Sequence, residues 1–201
     1  ELDDEADTIW QLTELADAAR VYPSLLRTTA RQLRILEASP SLPIEVAAGA
    51  CRTTFEVNIR TRLVVADPAY LMKFQMEFVN DEQALTQAFL KLSDSESSEQ
   101  AEQLRDRLIQ IQSILDRRGL TSERGDSVAN NARRAGVFDE YDTLYRFYSR
   151  YVHGSGWLIL ATDDRRDGEG FRHIFSIQTQ LYAADTFFRI KDAVAAPASP
   201  G

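Results

Sequence analysis

Apolar residues recur along this chain at alternating steps of three and four, and no stretch of any length alternates strictly at two. From Thr8 the seam runs Leu12, Leu15, Ala19, Tyr22, Leu26, Thr29, Leu33 and Leu36, keeping its phase through Pro23. That predicts one long first helix, kinked at the proline. The S-P-S-L-P run from Ser39 to Pro43 ends it, and Pro43 suits the first residue of a second helix reaching about Ala66. Ile44, Ala47, Cys51, Phe55 and Ile59 form the buried stripe expected of that helix. Asp67-Pro68 reads as an N-cap followed by a helix-starting proline. The third seam is Leu71, Phe74, Phe78, Leu85, Ala88 and Leu92, widened by Met72, Met76 and Phe89. A polar hinge from Ser93 to Gln100 precedes a fourth, narrower seam of Ala101, Leu104, Leu108, Ile111 and Leu115, ending at Arg117-Arg118-Gly119.

The remainder is shorter-paced. Ser122 to Asp126 reads as loop, and Val128 to Arg134 as a brief helix stopped by Gly136. A polar-faced helix follows from Tyr141, and after Gly156 comes W-L-I-L-A-T, too short to classify. D-D-R-R-D-G-E-G is a surface loop. The last helix, about Arg172 to Val194, carries Ile174, Ile177, Leu181, Ala184 and Phe188 on one side, with Phe175, Tyr182 and Phe187 widening the arc. Such breadth is expected of a central, heavily buried helix. The fold class expected is all-α, a bundle of five or six main helices in a single domain over residues 1–194, with a linker-like tail at 195–201.

Composition narrows the setting. Hydrophobic residues at 44% and charged residues at 27% suit a globular core. No apolar run approaches the roughly 20 residues that span a bilayer, so no membrane partner is expected. The single cysteine, Cys51, excludes an intrachain disulfide and fits the cytoplasm. The chain opens on Glu1 rather than Met, as a fragment or a processed chain would. Of the net charge of −8, residues 1–120 hold 13 basic against 20 acidic side chains. That half repels phosphate backbones. A local basic patch is left to Arg133, Arg134, Arg146, Arg150, Arg165, Arg166 and Arg172.

Chemistry concentrates in Y-D-T-L-Y-R-F-Y-S-R-Y-V-H-G-S-G-W, Tyr141 to Trp157. Arg146 and His153, seven residues apart, point the same way if the segment is helical. Ser149 and Arg150 lie between them, and Tyr145 one turn below Ser149. Gly154, Ser155 and Gly156 then stop the helix, which leaves His153 at a C-terminus where the macrodipole favours imidazolium. The other histidine, His173, reads as structural or exposed. On the second helix Arg52, Glu56 and Arg60 form an i, i+4 ladder. It is either a solvated face or a buried network that orients the histidine strip. Zinc-spaced Cys/His clusters, a P-loop, G-x-G-x-x-G and G-x-S-x-G are all missing, so no metal and no cofactor is expected.

Arg146-x6-His153 resembles the R-x4–6-H motif of the HEPN superfamily (higher eukaryotes and prokaryotes nucleotide-binding), with Phe147 where many members carry a polar residue. The resemblance implies an all-helical domain. It also implies a metal-independent ribonuclease of a bacterial defence or toxin–antitoxin system, with RNA as partner and two protomers completing the site. Arg146 would stabilise phosphate and His153 would act as acid or base. A second resemblance, over roughly residues 20–190, is to uncharacterised, mostly bacterial helical proteins that pair R-x3-E with Y-x3-S-x3-H. Here those are Arg52/Glu56 and Tyr145/Ser149/His153, followed by Gly154-Ser155. It implies that Glu56 lies near His153 or Tyr145, with Ser149, Arg150, Ser155 and Tyr145 supporting. The alternative is a noncatalytic helical module that dimerises or binds a protein partner.

Overall fold

The computed structural model describes residues 18–38, 42–92, 98–117, 125–160, 162 and 168–195. Among them there is no strand, as the periodicity predicts. The helices are α1 (Ala18–Ala38), α2 (Ile44–Ala66), α3 (Pro68–Leu92), α4 (Glu99–Arg117), α5 (Val128–Arg134), α6 (Phe138–Glu140), α7 (Arg146–Val152), α8 (Gly156–Ile159) and α9 (Glu169–Ala195). A π-helical turn, Tyr141–Tyr145, joins α6 to α7. The bundle expectation holds. The seam positions Thr8, Leu12 and Leu15, the stretches 39–41, 93–97 and 118–124, the loop at 163–167 and the tail at 196–201 lie outside the described residues. The chain forms two compact units, one of Ala18–Pro68 with Asp126–Gly201 and another containing Ala69–Gly125.

In the larger unit α2 is the axis, with α1, α7, α9 and α5 packed around it. Ile44, Ala47, Cys51, Phe55 and Ile59 are all buried, as their spacing predicts, but so are Ala48, Ala50, Thr54, Asn58, Thr61, Leu63 and Val64. A helix covered on several sides needs apolar or hydrogen-bonded residues around most of its circumference. Its buried hydroxyls turn back on the helix: Thr54 donates to the Ala50 carbonyl at 2.7 Å and Thr61 to that of Val57 at 2.9 Å. Pro43 is the N-cap rather than the first helical residue.

The last helix is therefore not the central one. It buries Phe175, Thr179, Tyr182, Ala183, Thr186 and Ile190, while Ile174, Ile177, Leu181, Phe187 and Phe188 stay exposed. Two apolar stripes compete on α9, and polar matching decides which one faces α2. Asn58 donates to Asp185 at 2.7 Å, to Thr186 at 3.2 Å and to the Tyr182 carbonyl at 3.3 Å. Only the face bearing those residues can satisfy a buried amide.

In the smaller unit Val79 on α3 packs with Ile111, Ile114 and Leu115 on α4, with Met76 alongside. The Arg107–Glu82 ion pair at 2.6 Å ties the two helices. The aromatic seam expected on α3 is corrected here too. Leu71 is buried as predicted, but Phe78, Leu85, Phe89 and Leu92 are exposed, and Tyr70, Val79 and Thr86 take the inner face.

Candidate functional site

The segment that carries the site is assembled from its caps inward. Ser127 caps α5, accepting from the Asn130 amide at 3.2 Å, and Gly136 at φ 72° reverses the chain into α6. Phe138, Tyr141 and Tyr145 then stack along the π-helical turn, with centroids 5.8 and 4.9 Å apart. That stack, together with Phe55 of α2 at 6.0 Å, seats the Tyr145 ring in the core with its hydroxyl directed at α2. Phe147 packs against Phe171 and Phe175 of α9, both at 5.6 Å, so its departure from the polar residue of the HEPN pattern serves the core.

Four side chains meet there. The Tyr145 hydroxyl donates to Glu56 Oε1 at 2.8 Å and accepts from Arg52 Nε and Nη2 at 3.1 and 2.9 Å. Arg52 Nε also donates to Glu56 Oε1 at 3.1 Å. Arg52 Nη1 lies 2.9 Å from His153 Nε2. The i, i+4 pair on α2 is therefore part of a network that reaches the histidine. It is half-buried rather than interior, with Arg52 23% and Glu56 37% exposed. Burial holds the Tyr145 phenol up at about 12, reinforced by Glu56 and opposed by Arg52. For Arg52, burial pulls its pKa down, but Tyr145 and Glu56 outweigh that and leave it above its ordinary value.

The strip read from the sequence is only partly one surface. His153 is the C-cap of α7, with extended backbone at φ −100° and ψ 141°. It therefore does not continue the helical phase of Arg146. Arg146, 66% exposed, pairs with Asp142 at 3.3 Å one turn back along the chain. The guanidinium beside His153 belongs to Arg52 instead. Ser149 donates to the Tyr145 carbonyl at 2.8 Å, a bond within the helix. Ser155 caps α8, accepting from the Leu158 amide at 3.3 Å and donating to the Arg150 carbonyl at 3.0 Å. Arg150 is exposed, its guanidinium 5.9 Å from the Trp157 ring. His173 is exposed on α9.

Among the described residues, two more arginines of the expected basic patch have local partners. Arg133 lies over Phe138 at 4.1 Å, and Arg134 pairs with Asp126 at 3.1 Å and Asp67 at 3.4 Å. Arg165 and Arg166 lie outside the described residues. Tyr141, which the sequence reading did not single out, is visible in hindsight as the first tyrosine of Y-x3-Y. Among the described residues no three His, Cys, Asp or Glu side chains cluster as metal ligands would, and no helix is long and apolar enough to cross a membrane.

The arrangement offers an exposed imidazole and a fixed guanidinium side by side, a proton carrier next to a permanent cation. No curated protein and no solved structure matches the chain. A family of unknown function, DUF5677, matches residues 44–169, the span from the start of α2 to the first residue of α9 that includes all four members of the network, and the chain belongs to that family.

Proposed function

We propose that this protein is a HEPN-like, metal-independent endoribonuclease, a cytoplasmic effector of a bacterial defence or toxin–antitoxin system. The observation that carries this reading is the 2.9 Å approach of Arg52 Nη1 to the exposed His153, with Arg52 braced by Glu56 and Tyr145. In RNA cleavage of this kind the 2′ oxygen attacks phosphorus, the bond to the 5′ oxygen breaks, and a cyclic phosphate results. His153 moves a proton in that exchange, since imidazole can do so at neutral pH. Arg52 offsets the charge that grows on the phosphate, the role the sequence pattern assigned to Arg146. Glu56 and Tyr145 hold Arg52 in place. RNA is the partner, and a second copy of the chain completes the assembly.

The test is cleavage of single-stranded RNA in the presence of a chelator. Wild type should cut, His153→Ala should lose activity by at least a hundredfold, and Arg52→Ala comparably. Arg146→Ala should stay within a fewfold of wild type. Equal loss in Arg52→Ala and Arg146→Ala would return the phosphate role to the helical strip. Sedimentation at micromolar concentration tests the second copy, and a strict monomer removes it.

A second reading has its own observation. The hydrogen bonds among Arg52, Glu56 and Tyr145 link α2 to the π-helical turn, as a purely architectural clasp would. On that reading the chain is a noncatalytic interaction module. No RNA would then be cut, and each variant would lower the melting temperature only.

A further inference from the structure

Arg52 and His153 meet in a way that one protonation state allows. A guanidinium has five N–H donors and no acceptor, so the 2.9 Å contact requires His153 Nε2 to accept. Such a hydrogen bond pairs an Arg52 N–H with an Nε2 that carries no proton, the tautomer with its hydrogen on Nδ1. Protonating Nε2 would set one cation against another and end the hydrogen bond. Among the described residues, the titratable groups hydrogen-bonded to this pair are Glu56 on α2 and Tyr145 on the π-helical turn, and both are turned toward Arg52. Three of the five Arg52 donors are taken by Glu56, Tyr145 and His153. One N–H on each terminal nitrogen has no partner among the described residues.

We infer that Arg52 and His153 form an oxyanion site in which the arriving anion displaces His153 Nε2 from Arg52 and is held by guanidinium and imidazolium together, so that binding takes up one proton at Nε2. An anion between the two groups turns a repulsive pair of cations into an attractive triad, which favours the protonated imidazole. The class of ligand is a tetrahedral oxyanion. That it is the phosphodiester of RNA rests on the ribonuclease reading above. On that reading His153 begins the reaction as the acid. As the bond between phosphorus and the 2′ oxygen forms, the 2′ proton leaves to water. As the bond to the 5′ oxygen breaks, the Nε2 proton passes to that oxygen.

The chain has two histidines, so the imidazole C–H signals of His153 and His173 can be followed together by NMR. Sulfate is the first probe because its charge is constant between pH 5 and 9. At a concentration ten times its dissociation constant for the protonated site, it should raise the His153 midpoint by about one pH unit and leave that of His173 in place. Its affinity should weaken by about tenfold per pH unit above the midpoint found without sulfate. Arg52→Lys, which keeps a cation but loses the planar fork, should retain the helical circular dichroism of wild type while losing most of the sulfate-induced shift. A His153 midpoint indifferent to sulfate, or one that moves in step with His173, overturns the site. The second probe is a single-stranded 2′-O-methyl RNA oligonucleotide, which cannot form the cyclic product. It should compete with sulfate and shift His153 the same way. A response to sulfate without one to the oligonucleotide keeps the oxyanion site and sinks the phosphodiester. RNA cleavage by a protein whose His153 ignores both probes keeps the ribonuclease and sinks this inference.

Discussion

Tyr145 does three things with one side chain: its ring fills the core, its hydroxyl donates to Glu56, and the same oxygen accepts twice from Arg52. Removing the hydroxyl leaves Glu56 and Arg52 in contact but deletes the member that orients both. Tyr145→Phe should therefore cost about 1–2 kcal/mol, the range for a hydrogen bond to a charged group reduced for partial exposure. Glu56→Gln keeps an acceptor oxygen and loses the charge. With Glu56 37% exposed, the cost should be about 1 kcal/mol, well under the roughly 3–5 kcal/mol that breaking a fully buried pair costs. The double variant should lose less than the sum, because both substitutions weaken the same network. Urea melts of the three variants check this, and strict additivity would mean that the hydroxyl and the carboxylate act separately. Much of the site was legible at this scale. Arg52 and Glu56 share a face because they are four apart, as do Tyr145 and Ser149. The meeting of Arg52 with His153, 101 residues apart, was expected from the resemblance that groups Arg52/Glu56 with Tyr145/Ser149/His153, and not from helical period, which says nothing about the register between two helices. The displacement of Arg146 was not legible, because the extended backbone at His153 ends the helical phase on which the pairing relied.

At the level of elements, α2 packs against both α9 and α7, and several groups in those contacts are held in one protonation state. Burial pushes the Cys51 thiol up to about 11, against the opposing hydrogen bonds of Thr179 and Tyr148. Burial also drives Tyr148 and Tyr182 upward. Groups with raised values lend stability that is complete below their unfolded values and is lost as pH climbs through the folded ones. The melting temperature should hold to about pH 8.5 and then fall toward pH 11. Cys51→Ala should remove the earliest part of the fall. A melting temperature level to pH 11 would mean that these groups ionise without leaving the core. Asp185 sets the opposite limb. Burial alone would raise it, but Arg189, Asn58 and Arg62 together hold it below the usual carboxylate range. Its contribution is present above about pH 4 and disappears as pH falls through the lowered value. Asp185→Asn should flatten the acid limb and leave the alkaline one unchanged. Helix existence was readable from the apolar period, whereas the burial of α9 was not. The stripe left exposed is the more apolar of its two, and the choice between them lies with Asn58, on a helix more than a hundred residues away in the chain.

Every member of the network, Arg52, Glu56, Tyr145 and His153, belongs to the unit made of Ala18–Pro68 and Asp126–Gly201, and residues 69–125 interrupt that unit in the chain. The two ends of the interruption lie close together. Asp67, just after α2, and Asp126, just before α5, both pair with the Arg134 guanidinium, at 3.4 and 3.1 Å. Two carboxylates on one guanidinium put their backbones within roughly 10 Å, which three or four extended residues span. Closing so short a loop costs less chain entropy than carrying the long segment. A chain of residues 18–68 joined to 126–201 by four Gly/Ser residues should therefore fold alone, because α1, α2, α7 and α9 keep their mutual contacts. It should show strong helical circular dichroism and a single cooperative melt. Its network should persist, since Arg52, Glu56, Tyr145 and His153 all remain. A helical but noncooperative product would mean that the unit carrying the site depends on residues 69–125 for its core, and that the two units fold as one.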